Sequence, residues 1–303
     1  MLSLQDLATA PFSGRVSYED VAERIASIDL GDDPSTMRER FARLLLGEAA
    51  SEPPPVGTSD ERGSLVVPPL GQDLADGGRC LVWFHGGGYV FGSPETHWRP
   101  AAALASMLDV PVILPRYRLA PEHPWPSQLE DGLNAVRAAQ DAGQRVTVAG
   151  DSAGGHLALT VALALGREGR PPDALALFSP NTDRTGLSGT REANTPRDPM
   201  NADEDDRSLA QMAFGNRPDD DPQVSPVLDD LLLLPPTHLE VGDREVLLGD
   251  AQVLAQRAQE AGAEVSLHVE PGAFHMWQLW TPWLPAADAS LRRTAEFLSR
   301  HGL

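Results

Sequence analysis

The chain contains no lysine, a single cysteine and no apolar run long enough to cross a bilayer. The missing lysine excludes Schiff-base chemistry on a side-chain amine. The lone cysteine, Cys80, excludes an internal disulfide and a cysteine-based zinc site. It lies in the apolar run "RCLVWF", the setting of a buried strand residue and not of a reactive thiol. Metal chemistry has little support, and no cofactor is expected. The stretch "LALTVALALG" is too short for a membrane span and reads as a buried helix. The N-terminus, "MLSLQDLATAPFSGR", lacks a basic segment followed by a long apolar one. No secretory signal is expected, and a cytoplasmic location is the default.

Cations are scarce as well. The chain has 24 basic against 44 acidic residues, a formal charge of −20. Binding to a phosphate backbone rests on clustered cations, so this balance argues against a nucleic-acid partner. It favours solubility and disfavours anionic substrates.

What is present has a clear order. Residues 1–50 read as a helical segment, with apolar residues at three- and four-residue spacing in "YEDVAERIASI" and "TMRERFARLLLGEA". A Pro/Gly/Ser-rich connector, "SEPPPVGTSDERGS", follows. From residue 64 to 303, short β runs such as "RCLVWF", "RVTVAG" and "THLEVG" alternate with helical runs. That alternation predicts an α/β fold with a mostly parallel central sheet and helices on both faces. Functional residues in such sheets gather at the carboxyl ends of the strands. One segment, about 181–224, breaks the rhythm. Its length marks a lid, a cap or a disordered loop, and its acidic runs "DEDD" and "DDD" read as solvated surface.

The stretch "VAGDSAGGHLALTV" carries Gly150, Ser152 and Gly154 in a G-x-S-x-G pattern between a strand run and a helix run. This is the strand–turn–helix setting that a nucleophilic serine on a sharp turn requires. "FHGGGYVFGS" follows another strand run, and its glycines leave backbone N–H groups unhindered to receive a developing oxyanion. A base is still needed, and His275 in "EPGAFHMWQLW" lies just past the last strand run. Position does not exclude His97 and His123, which lie in loops; His85 is read as fixing the glycine loop. The acid must follow "THLEVG", where "GDREVLLGD" offers Asp243, Glu245 and Asp250. The resulting order of serine, acid and histidine is that of α/β-hydrolases. Trp277, Trp280 and Trp283 are read as packing, with the alternative that one lines a substrate pocket.

The segments "HGGGYVFGS", "YRLAPEHPWP", "GDSAGG", "LFSP" and "GAFH" occur in this order, and with them the chain resembles the hormone-sensitive-lipase family of α/β-hydrolases. The likeness runs from about Leu81 to the C-terminus and is narrowest to bacterial esterases and deacetylases. It implies an α/β-hydrolase fold with a helical cap built from residues 1–50 and the 181–224 insertion. It implies Ser152 as nucleophile, His275 as base, and an oxyanion hole of the Gly87, Gly88 and Ala153 amides. It also implies that "YRLAPEHPWP" supports the architecture without doing chemistry. Many members carry Asp-Pro-Leu at the acid, where this chain reads Glu245-Val246-Leu247. Alignment on the leucine makes Glu245 the acid, with Asp243 as the alternative. The implied activity is hydrolysis of a small-molecule carboxylic ester, with short to medium acyl groups or an acetylated small molecule as substrate. The alternatives are a non-hydrolytic cyclase, lyase or acyltransferase on the same fold, and an inactive small-molecule receptor. The oligomeric state stays open between monomer and homodimer.

Overall fold

The computed structural model describes residues 11–47, 54, 57–61, 63–69 and 78–303. Within them one sheet is built from β1 (Thr58–Ser59), β2 (Leu65–Val67), β3 (Arg79–Phe84), β4 (Val112–Leu114), β5 (Arg145–Asp151), β6 (Leu175–Phe178), β7 (Thr237–Gly242) and β8 (Val265–Glu270). The strand order is β1-β2-β4-β3-β5-β6-β7-β8. The pairings of β1 with β2 and of β2 with β4 are antiparallel, and all the others are parallel. The central strands are apolar along their length because helices cover them, so both side-chain directions are buried. In β3 every residue from Cys80 to Phe84 is buried, and the Trp83 ring stacks on Phe178 of β6 with centroids 5.1 Å apart. Burial pushes the Cys80 thiol up to about 12, which matches an inert core residue.

The helices are α1 (Tyr18–Ala26), α2 (Pro34–Leu46), α3 (Trp98–Leu108), α4 (Ser127–Asp141), α5 (Ala153–Arg167), α6 (Arg191–Asn194), α7 (Asp203–Phe214), α8 (Leu248–Glu260) and α9 (Pro285–His301). α3 packs against α9, and α4 packs against α5. Their starts are legible in local chemistry. Ser17 and Asp20 form a reciprocal capping box on α1, and the Asp33 side chain caps α2 ahead of Pro34. α5 buries almost its whole surface between its neighbours, which explains its near absence of polar residues.

Two expectations need correction. The stretch 51–64, expected to be a plain connector, supplies β1, and β2 follows at once. Strands of two and three residues leave no alternation to read; backbone pairing at the sheet edge holds them. Residues 51–53, 55, 56 and 62 of that stretch lie outside the described residues, as do 1–10 and 48–50 of the N-terminal segment. The run Asp203–Asp206 is not solvated throughout, since Asp203 and Asp206 are buried. Arg184 and Arg191 reach Asp206 at 3.0 and 2.6 Å, and Arg191 also meets Asp250 at 2.7 Å. Such pairing makes Asp206 and Asp250 tolerable in the interior, and the partners lie elsewhere in the chain.

Candidate active site

Ser152 sits between β5 and α5 with φ 54° and ψ −119°. A non-glycine residue in such a conformation costs about 1–3 kcal/mol, so its surroundings must impose it. The Ser152 N–H donates to the Phe178 carbonyl at 2.9 Å, and the Ser152 carbonyl accepts from His156 N–H at 3.0 Å and Asn181 N–H at 3.2 Å. The flanking glycines let the turn close. A Cβ on Gly150 would collide with the Gly154 carbonyl, and one on Gly154 with the Phe84 carbonyl.

The glycine loop after β3 is tied to this turn by Asp151. Its Oδ1 accepts from Trp83 Nε1 at 2.8 Å and its Oδ2 from the Gly86 N–H at 3.0 Å. His97 Nε2 lies 3.1 Å from the same Oδ2. His97 thus belongs to the support of the loop, while His123 is exposed. The Tyr117 hydroxyl donates to the His85 carbonyl at 2.6 Å and its ring stacks on the imidazole, so the segment around Tyr117 braces the same loop. Burial holds His85 down at about 3, and it stays neutral. Gly87, Gly88, Ser152 and His275 line one cavity of about 570 Å³. Ala153 opens α5, so its N–H is among those without an intrahelical acceptor.

His275 lies beyond β8 and is 2 % exposed. Its Nε2 is 2.9 Å from Ser152 Oγ, and its Nδ1 is 3.0 Å from Glu245 Oε2. The other oxygen, Glu245 Oε1, accepts from Ser179 Oγ at 2.7 Å and from the Gly242 N–H at 2.6 Å. Burial alone would lower the His275 pKa, but the Glu245 hydrogen bond and the charges of Glu245, Asp198 and Asp206 outweigh it and raise it. Asp243 accepts from the Gly272 N–H at 2.8 Å, and Asp250 is taken up by Arg191 and the Thr182 and Asp183 amides. The structure therefore brings Glu245 to His275 and leaves Asp243 and Asp250 to other partners. The apolar part of the cavity wall includes Ile25, Ile28, Leu30 and Met37 from the N-terminal helical pair and Met200, Leu209 and Met212 from the insertion. Trp277, Trp280 and Trp283 are buried outside it, with Trp280 and Trp283 packing on Phe12. Sequence reading missed Asp198, a buried carboxylate of the insertion whose Oδ1 lies 3.3 Å from the His275 backbone nitrogen.

A mostly parallel sheet with serine, histidine and carboxylate in line at its strand ends defines an α/β hydrolase. The α/β-hydrolase-fold family matches residues 81–279, and the chain belongs to it. Within that fold it falls in the hormone-sensitive-lipase branch. An acetyl-hydrolase of Streptomyces hygroscopicus is 35% identical over 236 residues, covering 77% of this chain and 78% of the relative. Esterase LipU of Mycobacterium tuberculosis is 32% identical over 275 residues, covering 86% and 91%. The crystal structure of an esterase from the bacterial hormone-sensitive lipase family superposes with a TM-score of 0.83 at 29% identity, covering 99% of both chains.

Proposed function

We propose that the chain is a serine carboxylic ester hydrolase that acts through an acyl-enzyme on small neutral esters. The observation that carries this is the line from Ser152 Oγ to His275 Nε2 at 2.9 Å and from His275 Nδ1 to Glu245 at 3.0 Å. In the proposed reaction His275 takes the Ser152 proton as Oγ attacks the ester carbonyl. Glu245 holds the ring and favours its cationic form without accepting the proton. The amides of Gly87, Gly88 and Ala153 receive the oxyanion, and the loss of one such donor costs about 3–4 kcal/mol in barrier height. His275 then protonates the leaving alcohol, and water activated by the same ring releases the acid.

The N-terminal helical pair and the insertion act as the cap in this reading, since their side chains wall the cavity that Ser152 faces. A cavity of about 570 Å³ accommodates short to medium acyl groups. No helix among the described residues is long and apolar enough to cross a membrane. A cytoplasmic location and a homodimer complete the proposal; the half-exposed edge strand β8 is a surface that supports pairing.

The test is hydrolysis of p-nitrophenyl esters from acetate to decanoate, with Ser152→Ala alongside. Activity that peaks at a short or medium chain and vanishes in the variant is the expected result. Equal rates for the two proteins would remove the proposal.

A further inference from the structure

Asp198 has no part in the reaction just described, yet it touches both turns that carry the proposed base and acid. It lies in the insertion, just after the 3₁₀ turn Thr195–Arg197, and is 6% exposed. Its Oδ1 accepts from the His275 N–H at 3.3 Å and from the Met200 N–H at 3.1 Å. Its Oδ2 accepts from the N–H of Val246, the neighbour of Glu245, at 3.2 Å. Two other residues of the insertion hold the acid turn but not the His275 turn. Asn194 Nδ2 donates to the Glu245 carbonyl at 2.7 Å, and Thr190 Oγ1 donates to the Val246 carbonyl at 3.0 Å. What Asp198 adds is a hold on the backbone of His275.

We propose that Asp198 is a positioning residue for the hydrolase reaction: it clamps the Glu245 turn to the His275 turn, so that seating of the insertion and alignment of Ser152, His275 and Glu245 depend on each other. The proposal rests on the esterase reading of this site. A carboxylate suits the task because its two oxygens accept several N–H groups at once, whereas an amide side chain would turn a donor toward one of them. Its charge matters too. His275 is faced by Glu245 from the turn after β7, by Asp198 and Asp206 from the insertion, and by the Ser152 hydroxyl. Each of these carboxylates favours the imidazolium that forms when Ser152 loses its proton. Burial pushes the Asp198 carboxyl up to about 6, with His275 opposing and Glu245 adding to the shift. Above that pH the clamp is charged.

The test follows p-nitrophenyl butyrate hydrolysis from pH 5 to 9 in Asp198→Asn and Asp198→Ser, with thermal melting of each. The expected result is a kcat about ten- to a hundredfold lower with KM little changed, the size of effect that small misalignments produce. The ascending limb of kcat/KM should also move to lower pH, because a lost negative charge weakens the hold of His275 on its proton. A part in folding alone would lower the melting temperature and leave that limb in place. A folded Asp198→Asn with wild-type kcat and an unmoved limb overturns the clamp. Amide hydrogen exchange of the wild type supplies a readout free of variants: the N–H groups of Met200, Val246 and His275 should share one opening rate, and three unrelated rates overturn the clamp. Activity that survives in Ser152→Ala would instead overturn the hydrolase reading beneath it.

Discussion

Ser179 Oγ donates a 2.7 Å hydrogen bond to Glu245 Oε1, which leaves Oε2 to His275 Nδ1 at 3.0 Å. The two oxygens of one buried carboxylate thus serve different partners, and the first fixes the orientation of the second. Hydrogen bonds to charged groups are worth about 1.5–3 kcal/mol. Ser179→Ala is therefore expected to lower kcat with little change in KM, measured on p-nitrophenyl butyrate. An unchanged kcat would mean that the Gly242 N–H, 2.6 Å from the same oxygen, orients Glu245 alone.

The pH dependence has a definite sign. Burial pulls the His275 pKa down, but Glu245, Asp198 and Asp206 together raise it above the ordinary histidine value of 6.5. A general base must be neutral, so a raised pKa delays activity on the way up in pH. The kcat/KM profile should show an ascending limb centred above 6.5. A limb centred below that value would contradict the electrostatics of the site.

The identity of the acid can be tested with two conservative variants. Glu245→Gln keeps the shape but loses the charge opposite the imidazolium, and kcat should fall about 10³–10⁴-fold, as for loss of a triad acid elsewhere. Asp243→Asn keeps an acceptor for the Gly272 N–H and should retain near-wild-type activity. The reverse ranking would move the acid to Asp243.

Asp29, Asp32, Asp198, Asp205 and Asp206 line the cavity alongside its apolar wall, and no arginine among the described residues lines it. The Asp205 carboxyl is raised by burial and by the charges of Glu204, Asp32 and Asp206. An acyl group that ends in a carboxylate should therefore react more slowly than a neutral one of equal length, with a gap that narrows as salt is added. Rates for monosuccinate and butyrate esters of one alcohol, at low and high ionic strength, measure this. Equal rates at low salt would contradict it.

Much of the frame was legible because its signals are local. "RCLVWF" and "THLEVG" coincide with β3 and β7 residue for residue; the first reads as the apolar run of a buried parallel strand, whereas the second is buried with Glu240 paired to Arg293. The nearness of Ser152, Glu245 and His275 followed from their places just after the strand runs of β5, β7 and β8. Sequence left Glu245 and Asp243 as alternatives, and only the geometry of the turn separates them. Asp198 left no signal: it lies in an irregular segment, and two of the amides it accepts are 48 and 77 residues away. The buried acids of α7 were misread for the same reason, because what makes Asp206 tolerable in the interior is Arg184 and Arg191 earlier in the insertion. The role of the three tryptophans could not be decided by spacing, since burial against Phe12 and burial around a ligand give the same pattern.

The most direct test of the central claim is covalent labelling of the native protein with a fluorophosphonate, read by intact mass and peptide mapping. The site described here predicts a single adduct, on Ser152, formed faster as pH rises through the His275 limb and absent in Ser152→Ala. A wild-type protein that stays unlabelled, or an adduct on another residue, would contradict the assignment of Ser152 as the nucleophile.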